Sequence, residues 1–94
     1  MQNDMFEWDD DKAAINFKRH KVSFEAAGRA FQDAFGIARE DSRENYREAR
    51  FNLLGMVDSR LLHVTYTMRG DRIRIISARM AEPREKRRYH EENN

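Results

Sequence analysis

Three stretches decide the fold: Arg50-Phe51-Asn52-Leu53, Leu61-Leu62-His63-Val64-Thr65-Tyr66-Thr67 and Arg72-Ile73-Arg74-Ile75-Ile76-Ser77-Ala78. In the first, Phe51 and Leu53 alternate with Arg50 and Asn52 up to Gly55, the period of two that marks a half-buried strand. The other two are rich in β-branched and aromatic residues, and turn residues at Asp58-Ser59 and Arg69-Gly70-Asp71 separate the three. The pattern predicts an antiparallel meander. Closed by two-residue hairpins, it sets Arg50 opposite Thr67, Asn52 opposite Thr65, and Thr65 opposite Arg74. One sheet face then collects Arg50, Asn52, His63, Thr65, Thr67, Arg72 and Arg74. The other collects Phe51, Leu53, Val64, Tyr66, Ile73 and Ile75.

Upstream, Met5-Phe6-Glu7-Trp8 reads as a short first strand. A helix is expected from Asp11 to about His20, with Asp9, Asp10 and Asp11 at its positive end and Lys18, Arg19, His20 and Lys21 at its negative end. Ser23 suits the N-cap of a second helix. Phe24, Ala27 and Phe31 recur there at helical spacing, and Gly36 is placed to stop it. These residues would cover the apolar sheet face. From Arg39 to Glu48 the chain is almost wholly polar and reads as a loop or a ragged strand, while Pro83 suits the first turn of a last helix through Arg84, Glu85, Arg88 and Tyr89. The expected order is β-α-α-β-β-β-α, an α+β fold. With 94 residues it has the size of one domain, expected to span 1–94.

Charged residues make up 37% of the chain, yet its apolar clusters suffice for a core. Fourteen of the eighteen basic residues are Arg, whose planar fork matches phosphate better than the point charge of Lys. The chain has no Cys, which excludes disulfides and thiolate metal sites. Its start carries acids and no long apolar run, so neither a signal peptide nor a membrane span is expected, and the cytoplasm is the expected compartment.

Three arginines with no acid among them on one sheet face repel one another, unless an anion or ordinary solvation compensates them. Phosphate fits, because Arg pairs with it bidentately. Other catalytic templates are weak. There is no HExxH, no glycine-rich phosphate loop and no GxSxG, and His20, His63 and His90 are too widely spread for a metal-ligand set. No metal or other cofactor is expected.

Several stretches together resemble the BrnT toxins: Phe6-Glu7-Trp8-Asp9, Lys12 followed by Asn16, and His20-Lys21-Val22-Ser23-Phe24-Glu25-Ala26. Farther on come Glu48-Ala49-Arg50, Gly55, Val64-Thr65-Tyr66, and Ile73-Arg74-Ile75-Ile76-Ser77-Ala78-Arg79 with Ala81, Glu85 and Tyr89 behind it. The resemblance covers nearly the whole chain. It departs at Tyr46-Arg47-Glu48, which replaces a glycine often found ahead of the acid and Arg50. It implies a RelE-like fold and metal-independent RNA cleavage. It also implies neutralisation by BrnA, a ribbon-helix-helix antitoxin through which the pair would reach operator DNA.

For such a reaction, in which a ribose 2′-hydroxyl attacks its neighbouring phosphate, Arg50, Arg74 and Arg79 would supply positive charge. Arg stays protonated, so proton transfer falls to Tyr89, Tyr66, His63 or His20. Arg50, Arg74, Arg79 and Tyr89 form the expected catalytic set, with Lys18, His20, Asn52, His63 and Arg72 as RNA contacts. Each has a plainer alternative. Tyr66 could bury its ring under the helices, Tyr89 could pack the last helix onto the sheet, and Arg79 could pair with Glu82 or Glu85. A non-catalytic nucleic-acid or protein-binding module would use the same basic face, and a third reading is a structural partner subunit with no activity of its own.

Overall fold

The computed structural model describes residues 1–42 and 47–94. The described chain runs β1 (Phe6–Glu7), α1 (Asp10–His20), α2 (Phe24–Arg29), a 3₁₀ turn (Ala30–Gln32), β2 (Ile37–Asp41), β3 (Arg50–Val57), β4 (Arg60–Arg69), β5 (Arg72–Met80) and α3 (Pro83–Glu92). The strands form one sheet in the order β1-β5-β4-β3-β2, antiparallel except that β1 joins β5 in parallel. This is the expected α+β architecture with one addition. The polar stretch begins as a paired edge strand, because Arg39 and Asp41 need only one polar face and a ladder to β3. The rest of the expected loop at 43–46, including Tyr46, lies outside the described residues.

Both hairpins close as read, with Val57 opposite Arg60 and Arg69 opposite Arg72. Asn52 meets Thr65, but the expected pairing of Thr65 with Arg74 does not form. A tight turn at Gly70 and Asp71 sets Arg74 opposite Thr67. The ladder then shifts by one residue, skipping Ile76, and Thr65 meets Ser77. The division of the assigned residues between the two faces survives because those on β5 all precede the shift. Beyond it the parity inverts, so that Ala78 joins Ile75 in the core while Ser77 and Arg79 join Arg74 on the polar face.

The apolar face carries the main core. Leu53, Leu62, Val64, Ile75 and Ala78 pack against Trp8, Val22, Phe24, Ala27 and Ala30 from the helical layer. Phe31 meets Phe6 and stands edge-on to Tyr66, which stacks on Phe51. Gly55 lets β3 pass under the 3₁₀ turn, because a Cβ there would lie 2.5 Å from the Ala30 carbonyl oxygen. Ser23 caps α2 through the Ala26 N–H. The helix does not run on to Gly36, because the Asp33 carboxylate captures the N–H groups of Phe35 and Met56 and turns the chain toward β2.

Within α1, Ile15 and Phe17 point outward, and the buried position is Asn16. Its amide donates to the Val22 and Ala78 carbonyls and accepts the Ala78 N–H, taking the place of a neighbouring strand at this point of the β5 edge. On the opposite sheet face α3 covers only one end. There Tyr89 and Ala81 bury Leu54 and Leu61, leaving the rest of that face polar.

Candidate active site

The polar face is built in rows across the strands. One row runs Arg39, Asn52, Thr65, Ser77, and the next joins Leu54, His63 and Arg79. Where these rows meet the start of α3, they enclose a cleft of about 270 Å³. Arg39, Asp41 and Asn52 line it from the outer strands, His63 and Arg79 from the inner ones, and Glu82, Arg84, Glu85 and Arg88 from the chain entering α3 and from that helix.

The centre of the cleft is a buried carboxylate. Pro83 opens α3, and the Glu85 side chain turns back to accept the Glu82 N–H at 2.8 Å, fixing the helix start. Both Glu85 oxygens also accept from Arg79, at 2.8 and 3.0 Å, in a two-pronged pair. The Nε2 of His63 lies 3.7 Å from Glu85, with only 12% of the His63 side chain exposed. Burial pushes the Glu85 carboxyl upward. Hydrogen bonds from Arg79 and the Glu82 N–H, with the charges of His63 and Arg79, outweigh this and hold it at about 2. Glu85 is therefore a fixed anion that orients the Arg79 guanidinium at an opening where the His63 imidazole also stands within salt-bridge distance.

Of the expected site residues, the cleft gathers Arg79, His63 and Asn52. Arg50 shares the face, but buried Asp41 stands opposite it across β2 and β3. Arg74 lies farther along and donates to Glu7 at 2.8 Å, while Arg72 donates to the Asn3 carbonyl. The acid-free arginine face is thus corrected. The meander contributes no acids, but β1, β2 and α3 bring Glu7, Asp41 and Glu85 to it.

Tyr89 does not line the cleft. Its hydroxyl donates to Asp33 at 2.6 Å, and burial together with this bond and the Asp33 charge raises it to about 12. Burial likewise pushes Tyr66 up, on the far side of the sheet. Lys18 is exposed on α1, and His20 lines a separate groove between α1 and β5. Glu85 and Arg88 were missed as site residues. An acid six positions beyond an expected catalytic arginine, in the first turn of a proline-opened helix, is the local signal for Glu85.

A family model described as the ribonuclease toxin BrnT of type II toxin-antitoxin systems matches residues 8–85. A search of curated proteins found no match to the chain.

Proposed function

Because the chain belongs to the BrnT family of ribonuclease toxins of type II toxin-antitoxin systems, we propose that it cuts RNA at the cleft beside α3, without a metal ion, and so blocks translation. The observation that carries this reading is the Arg79–Glu85–His63 cluster at the cleft.

Cleavage forms a bond from the 2′-oxygen to phosphorus and breaks the bond from phosphorus to the 5′-oxygen. The products are a 2′,3′-cyclic phosphate and a 5′-hydroxyl, and one proton moves from the first oxygen to the second. His63 carries that proton, its ring set by Glu85. Arg79, clamped at both terminal nitrogens, offers a pre-oriented positive charge to the phosphate oxygens as they gain charge. Asn52 positions the substrate from the next row. Arg50, Arg74 and Arg72 add charge along the face at longer range, each partly offset or held by its own partner. Tyr89 serves the packing of α3, not the chemistry.

The protein partner is an antitoxin, in our reading a BrnA-like ribbon-helix-helix protein that also makes the contact with operator DNA. The site of action is the cytoplasm, and no helix among the described residues is long and apolar enough to cross a membrane. Inducible expression with and without the neighbouring reading frame, followed by mapping of RNA ends, tests the whole reading. Growth should arrest only without the partner, and new ends should carry cyclic phosphate. Cleavage by the purified chain should persist in a chelator. Absence of new ends would leave a binding module, and loss of cleavage in chelator would overturn the metal-free route.

A further inference from the structure

A second opening, with walls more apolar than polar, is joined to the cleft by the same row of side chains. At the far side of the sheet, a groove of about 200 Å³ lies between α1 and β5, lined by Lys12, Ile15, Asn16, Arg19, His20 and Ser77, with Ile76 beside them. Ser77 is opposite Thr65, which is opposite Asn52 of the cleft, and the Thr65 hydroxyl donates to the Asn52 side chain at 2.8 Å. Two strand spacings, about 10 Å, separate Asn52 from Ser77. The connection carries neutral hydrogen-bonding groups and no acid.

The two openings differ in how their cations are satisfied. In the cleft, Arg79 is held by Glu85, and Arg39 and Arg88 by Glu92. In the groove, Lys12 and Arg19 make no salt bridge among the described residues, and no acid lines the walls. The helix dipole accounts for Arg19 at the C-terminal end of α1 but not for Lys12, which sits in the first turn where a positive charge is unfavourable. The Asp9 cap, whose carboxyl is lowered by the Lys12 N–H, offsets part of that cost. Two cations with no acid within salt-bridge distance, beside the apolar side chains of Ile15 and Ile76, fit a strand with phosphates along one edge and flat bases along the other.

The geometry points to the α1–β5 groove as a binding site for RNA nucleotides that flank the cleaved phosphate, with the strand crossing the sheet along Asn52, Thr65 and Ser77. This inference rests on the ribonuclease reading and extends it from the scissile bond to the length of substrate engaged. The register shift that skips Ile76 interrupts the β4–β5 ladder beside the groove, and Asn16 closes the strand edge at Ala78.

The test compares a dinucleotide with a longer single-stranded oligoribonucleotide, each carrying a 2′-deoxy sugar at the reactive position so that neither is cut. The parent should bind the longer strand at least tenfold more tightly. In Lys12→Gln/Arg19→Gln that ratio should fall toward one. The log-log salt slope for the longer strand should shrink by about 1.4, at roughly 0.7 per phosphate contact on a single strand. Arg60→Ala, away from both openings, should keep the parent ratio, and thermal melting should be the same for all three. Cleavage of a fully ribose strand is measured alongside. If the parent cleaves but the double variant keeps its length ratio, the groove is not on the RNA path and the ribonuclease reading stands. If the parent neither cleaves nor binds RNA, both fall. If the double variant keeps the ratio but loses its antitoxin, the groove belongs to a protein interface and the inference is overturned.

Discussion

Asp33 and Glu85 are two carboxylates that each collect several donors and meet α3, yet they serve different ends. Asp33 accepts from the N–H groups of Phe35 and Met56 and from the Tyr89 hydroxyl, at 2.9, 2.7 and 2.6 Å. All three donors are neutral, and together they tie the turn before β2, strand β3 and helix α3 into one unit. Burial pushes the Asp33 carboxyl up, but these three bonds outweigh it and lower it. Glu85 also accepts a backbone N–H, but its other partners are a guanidinium and an imidazole that line the cleft. A carboxylate that receives neutral donors acts as a clamp. One that holds a guanidinium at an opening, with an imidazole beside it, prepares a charged group for a ligand.

The largest expected effect falls on the Glu85 side of this comparison. Arg79→Ala and His63→Ala should each lower RNA cleavage by about 10²-fold to 10³-fold while keeping RNA affinity within about tenfold. Arg79→Lys, which keeps the charge and loses the fork, should recover only a small part of the rate. Single-turnover cleavage and equilibrium binding, measured together, separate the two quantities. Parent-like cleavage in both alanine variants would move the site elsewhere.

Acid unfolding comes next. With a folded value of about 2 against an ordinary 4.5, Glu85 contributes stability that is fully present above pH 4.5 and lost as the pH falls toward 2. Its upper limit is about 3 kcal/mol. Denaturant unfolding of the parent and of Glu85→Gln should therefore converge as the pH drops through that window. A constant gap between them would show that the Glu85 charge is not what stabilises the start of α3.

The smallest effect should be Tyr89→Phe. Removing one hydroxyl from Asp33 leaves two N–H donors in place, so stability should fall by about 1–2 kcal/mol with cleavage unchanged. Loss of cleavage at parental stability would bring Tyr89 back into the chemistry and erase the distinction between the two carboxylates.

Much of the scaffold could be read locally. Alternation of Phe51 and Leu53 with Arg50 and Asn52 assigned residues to sheet faces, and Ser23, Pro83 and the Asp58-Ser59 turn marked boundaries that formed where expected. Such signals survive because strand parity, capping and turn geometry depend on neighbours a few residues apart. The readings that failed depended on more distant groups. α2 stops early because Asp33 bonds to Met56, twenty-three residues away. The outward Ile15 and inward Asn16 follow from Asn16 meeting Ala78, sixty-two residues away.

The sequence by itself determined which side chains of β3, β4 and the first half of β5 share the polar face, and with the family resemblance it named Arg79, His63 and Asn52 among nine expected site residues. The register shift at Ile76 is what brings Ser77 and Arg79 onto that face. Only the tertiary structure decided what those arginines meet. The parallel addition of β1 beside β5 brings Glu7 to Arg74, pairing of β2 with β3 brings Asp41 opposite Arg50, and the return of α3 over the sheet gives Arg79 and His63 their shared carboxylate. Periodicity records which way a side chain faces within its own element. It carries no information on which element will lie beside it, and Coulomb interactions fall off with distance in space, whatever the separation along the chain.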